Sequence, residues 1–150
     1  MSYQEKNITV SLMSSVLILG FYLLNLLPMY QEGNLNAPRV FSLWATVILT
    51  AIVATIVASI LAHIMLSIVQ AIKTRTEESE SFIADERDKL IELKGMRNSH
   101  IVFSLGTLLS MLTFVFGQPP LVMFTLLIFF GVLAQIAADI WRLSLYRKGF

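Results

Sequence analysis

Long apolar runs alternate with short polar breaks along this chain, and the runs set the expected architecture. Four of them reach the roughly 20 residues that an α-helix needs to cross a hydrocarbon layer of about 30 Å. They cover about 8–29, 40–70, 100–117 and 121–141. The pattern predicts an all-α, polytopic membrane protein in which residues 1–150 form a single membrane domain. Four transmembrane helices would pack as a bundle, with a further helical segment at about 74–98 between the second and third spans. The first run is too long, and its flank too weakly basic, for a cleaved signal peptide. It is expected to be a retained span.

The second run is unusually long. Its 31 residues would make roughly 46 Å of helix. Because SIVQAIKTRTEE grows polar gradually without a Gly or Pro, this helix is expected to project beyond the bilayer rather than kink. The breaks differ from one another. YQEGNLNAPR joins the first two spans, and GQPP makes a tight hairpin whose Pro119 and Pro120 suit the opening turn of the fourth.

Composition agrees with this outline. Apolar residues reach 56% and charged ones 14%, against roughly 45–50% and about 25% in soluble domains. The formal net charge of +1 argues against nucleic acid as a direct partner, since phosphate binding requires a basic surface. With no cysteine there is neither a disulfide framework nor a thiolate ligand.

Charge placement predicts orientation. Six of the eleven Lys/Arg residues fall between the second and third spans, Lys6 precedes the first, and Arg142, Arg147 and Lys148 follow the fourth. Only Arg39 lies in a connection on the other side. The positive-inside rule therefore predicts cytoplasmic N- and C-termini in a multi-pass protein of a prokaryotic cytoplasmic (inner) membrane. Tyr30, Trp44 and Trp141 fall near the expected interfaces, where aromatic residues collect.

Within the second span, Ala51, Thr55, Ser59, His63 and Ser67 recur every four residues and so share a helix face. Close packing against neighbouring helices is the ordinary reason for such a face. His63 gives the sharper reading, a proton-responsive or ligand-contacting group, because ionisable residues in a bilayer are costly and turn inward. Asp139 is the other intramembrane charge. It precedes Arg142 by three positions and is expected to pair with it locally. Asn25, Gln135, Gly106 with Ser110, and Ala134 with Ala138 suit helix packing or interhelical bonding. His63 and His100 are the only histidines and belong to no ligand cluster, so neither a metal site nor any other cofactor is expected.

The segment SFIADERDKLIELKGMRNSH holds four acidic and four basic residues in twenty. Thr74 and Glu77 have capping-box spacing, and Asp85 and Lys89 stand acid-before-base at i,i+4. Ile83, Arg87, Leu90, Ile91 and Lys94 follow helical spacing, with Phe82, Glu86, Leu90, Leu93 and Arg97 on an adjacent stripe. Gly95 is the weak point, and a bend or break is expected there. Balanced charge disfavours binding to anionic lipid. A narrow apolar face among mixed charges points instead to helix docking, by the end of the second span, a second copy or a cytoplasmic protein.

DERDKLIELKGMR directly before a span resembles the signature of a family of small prokaryotic four-span membrane proteins of unknown function. The matching positions are Asp85, Glu86, Arg87, Ile91, Lys94 and Arg97. The resemblance implies partnership with a small helix-turn-helix regulator and supplies no catalytic residues. The expectation is thus a non-enzymatic membrane regulator or sensor, homo-oligomeric and surrounded by lipid, acting through this helix. The alternative is a small transporter or channel with Ser59, His63 and Ser67 of this polar stripe along its path. Paired carboxylates can do acid–base work only where their environments separate their pKa values, and adjacent residues on an exposed helix offer no such environment.

Overall fold

The computed structural model describes residues 3–33, 35–73 and 86–148. Four helices account for nearly all of them: α1 (Tyr3–Gln31), α2 (Ala37–Lys73), α3 (Glu86–Val115) and α4 (Pro120–Arg147). All four are long and apolar enough to cross a membrane, so the chain is a multi-pass membrane protein of the expected class. The helices overrun the apolar runs at several ends because the flanking polar residues contain no stop signal.

Where stop signals exist, the helices obey them. Gly33, at φ +64°, closes α1, and its N–H reaches the Tyr30 carbonyl at 3.2 Å. Asn36 then caps α2 by accepting the Arg39 N–H on its side-chain oxygen at 3.1 Å, and Pro38 sits in the first turn. α3 ends in a Schellman motif. Gly117 has φ +76°, its N–H bonds to the Phe114 carbonyl at 3.0 Å, and the Gln118 N–H bonds to the Thr113 carbonyl at 3.1 Å. Pro119 and Pro120 start α4 directly afterwards, completing the hairpin expected from GQPP.

α3 and α4 form the most extensively packed pair, α1 lies against α4, and α2 rests mainly on α1. Small residues allow the α3–α4 approach. Gly106, Ser110, Ala134 and Ala138 are all buried, and a Cβ at Gly106 would overlap the Phe130 ring. Tyr22 is fully buried against Leu43 and Val47, and its hydroxyl donates to the Thr125 carbonyl at 2.7 Å. Large apolar side chains such as Leu24, Leu49, Leu109 and Val115 point outward, as they must where lipid is the solvent.

α2 is one unbroken helix of 37 residues, about 55 Å long and well beyond a hydrocarbon core of about 30 Å. Among its described side chains, the buried ones, Val40, Leu43 and Val47, lie in its first third. Two expectations about α3 need correction. The helix runs through Gly95 without a break. Gly95 is buried there, and a Cβ would overlap the Arg142 side chain, so this glycine makes room for a neighbour instead of interrupting the helix. Leu90 and Ile91 also part company: Ile91 is 1% exposed, whereas Leu90 is 51% exposed.

Candidate functional site: a helix pair, a buried carboxylate and a cleft

At the end of the bundle where α3 begins and α4 finishes, the two helices stay paired by a series of specific contacts. Asp88 accepts the Tyr146 hydroxyl at 2.7 Å. One turn on, Ile91 is buried; another turn on, Gly95 receives the stem of Arg142. Asn98 then donates to the Ala137 carbonyl at 3.3 Å. The spacing 88, 91, 95, 98 alternates three and four residues, which keeps one face of α3 turned to α4.

Other positions of the same stretch are open. Glu86, Arg87, Leu90, Leu93 and Arg97 are exposed, with Leu93 at 61%. Of the six motif positions, then, Ile91 serves the internal α4 contact and Lys94 is half-buried beside it. Glu86, Arg87 and Arg97 are exposed, with Arg87 near enough to Tyr146 of α4 for its charge to act on that hydroxyl. Asp85, Thr74, Glu77, Phe82 and Ile83 lie outside the described residues.

The second feature is Asp139, whose side chain is 0% exposed. Ser11 of α1 donates to its Oδ2 at 2.8 Å, Arg142 approaches Oδ1 at 3.4 Å, and the Gln135 amide lies 3.4 Å from both oxygens. The local Asp139 and Arg142 pair expected from spacing is present, but the shortest bond comes from another helix. A carboxylate held away from water needs such partners, because desolvating an unpaired ion costs several kcal/mol or more. Arg142 thereby touches two elements: its guanidinium faces Asp139 while its stem crosses Gly95.

Beside this carboxylate lies the third feature, a cleft of about 850 Å³ between α1, α2 and α4, with Phe103 of α3 at its back. Asn7, Ser11, Ser14, Ser15 and Gln135 line one end, and Trp44, Val47, Ile48, Phe124 and Ile128 line the rest. Ala51, Ala54 and Thr55 form the α2 wall. The anticipated α2 stripe therefore borders a gap at its start. Thr55 bonds back to the Ala51 carbonyl of its own helix at 2.8 Å, and Ser67 is exposed. The side chains of Ser59 and His63 lie outside the described residues, although their backbone is helical. Asn25 also bonds within its own helix, to the Phe21 carbonyl at 2.7 Å.

Sequence reasoning singled out Asp139 but missed Ser11. The available signal was depth: both lie a few residues inside their spans at the end that carries the basic residues. Nothing in the sequence pointed to Tyr146 and Asp88, 58 positions apart. Among the described residues, no group of three His, Asp or Glu side chains could hold a metal ion. The chain matches no family model, no curated protein and no solved structure.

Proposed function

We propose that this protein is a non-enzymatic integral membrane regulator or sensor whose output surface is the outward face of α3 near its start. The carrying observation is the division of labour along that helix. Asp88, Ile91 and Gly95 fix it to α4, while Leu90 and Leu93 stay exposed between Glu86, Arg87 and Arg97. Apolar anchors ringed by charge on a rigid helix suit docking of a protein partner.

The concentration of basic residues at this end supports a cytoplasmic location for the surface, in a prokaryotic inner membrane. The resemblance of DERDKLIELKGMR to a family of small prokaryotic membrane proteins names the kind of partner, a small helix-turn-helix regulator. A homo-oligomer would multiply the docking surface.

Co-purification of the solubilised full-length chain tests this reading. Wild type should retain a helix-turn-helix partner that a folded Leu90→Ala/Leu93→Ala or Glu86→Ala/Arg87→Ala variant loses. Equal recovery by all three would refute it.

One observation favours a second reading, a small transporter or channel. The 850 Å³ cleft brings hydroxyl and amide side chains to the start of the stripe that continues towards His63. This reading requires solute flux into liposomes that falls with His63→Ala. Wild-type liposomes that show no flux across a broad solute panel would remove it.

A further inference from the structure

We propose that the cleft between α1, α2 and α4 binds a neutral amphiphile: a single-chain lipid with a hydroxyl- or amide-bearing head and no net charge. Its size comes first. About 850 Å³ lies in the range of roughly 300–1,000 Å³ typical of small-molecule sites. Such a gap inside a bundle, open to the hydrocarbon layer, is accessible to molecules dissolved in the membrane.

Polarity along the cleft sets the ligand's orientation. Ser11, Ser14 and Gln135 gather near the start of α1 and the later part of α4, whereas Val47, Phe124 and Ile128 lie further towards the hairpin end. Along α1 alone, Asn7 to Ile18 covers about 16 Å, changing from amide through hydroxyls to an apolar side chain. An amphiphile would place its head among the hydroxyls and amides and its tail along the apolar length. Ser11 and the Gln135 amide nitrogen already donate to Asp139, but a purely hydrocarbon ligand would offer no donor to their oxygens, at a cost in free energy in a dry site.

Charge selects the head. Among the described residues, no Lys, Arg, His, Asp or Glu lines the cleft, and the ion behind Ser11 and Gln135 is the Asp139 carboxylate. An anionic head would meet that carboxylate with no cation in the cleft to offset it. Arg142 already faces Asp139, so a cationic head would have no unpaired carboxylate to answer it. Hydroxyls and amides, in contrast, can both donate to and accept from Ser and Gln side chains. The inference rests on the cleft alone and is tested separately from partner docking.

The test uses the full chain in phosphatidylcholine nanodiscs with four diazirine-tagged probes of similar length. These are a monoacylglycerol, a fatty acid, an alkyl-trimethylammonium and an alkane. Cross-linked peptides are mapped by mass spectrometry. The expected result is saturable labelling of the 7–18 and 124–135 peptides by the monoacylglycerol, suppressed by the untagged compound. Thr55→Leu narrows the cleft from an exposed position, and should weaken this labelling by roughly tenfold. Gln135→Leu should shift preference from the monoacylglycerol towards the alkane while labelling persists. Equal, unsaturable labelling by all probes would identify ordinary lipid solvation and overturn the proposal. So would preference for a charged probe, or cross-links showing a second copy seated in the cleft.

Discussion

Ser11 Oγ donates to Asp139 Oδ2 across 2.8 Å, joining α1 to α4 between residues 128 positions apart. This bond turns what would be a local ion pair of α4 into a tertiary restraint. It holds the buried carboxylate from a second helix, beside the polar end of the cleft. A hydrogen bond to a charged group contributes about 1.5–3 kcal/mol. Ser11→Ala should therefore destabilise the folded bundle by about that amount, read from unfolding in mixed micelles. Ser11→Thr, which keeps the hydroxyl, should recover most of the loss.

The contact between Gly95 and Arg142 predicts a coupled pair. Gly95→Ala raises local helix propensity but forces the Arg142 stem aside, and overpacking of this kind costs about 1–3 kcal/mol. In an Arg142→Ala background, which removes the stem beyond Cβ, the same substitution should cost less. A double-mutant cycle in micelles should return a coupling of about 0.5–3 kcal/mol; additive effects would mean that the two residues do not share space.

Tyr146→Phe should act locally. It deletes the 2.7 Å bond to Asp88 and is expected to cost about 1 kcal/mol. Amide exchange of residues 86–95 should quicken, while exchange around Tyr22 stays unchanged. Equal acceleration throughout the bundle would show that the start of α3 is not separately fastened.

Leu109 provides a test of the membrane assignment. It is exposed near the middle of the apolar part of α3, so Leu109→Ala should leave stability within about 0.5 kcal/mol. Leu109→Asp should oppose insertion by about 2.5–3.5 kcal/mol, measured as the inserted fraction in a translocon assay. A charge tolerated at this position would place α3 outside the lipid.

Apolar run length and turn chemistry made the four helices legible beforehand. GQPP spelled out its hairpin because Gly117 tolerates a left-handed φ and Pro119 and Pro120 cannot continue a preceding helix ladder. Asp139 and Arg142 were legible because i,i+3 is a local relationship. The Ser11 contact was not, since serine is common in membrane helices and only tertiary packing selects one partner.

Gly95 misled for a related reason. Its intrinsic weakness in a helix is about 1 kcal/mol, which the gain from close packing against Arg142 can outweigh. The outward stripe of Glu86, Leu90, Leu93 and Arg97 was readable from spacing, whereas the assignment of Ile91 to the inner face needed α4 to be in place.

The continuity of α3 through Gly95 has a mechanical consequence. Its 30 residues form a rod of about 45 Å with no joint between the apolar length and the exposed leucines. A change of tilt at Phe103, where the rod meets the back of the cleft, reaches Leu90 and Leu93 as the same angle, three to four turns away. Bound volume on one side of the bundle and the bearing of the leucine face on the other would then be two readings of a single lever.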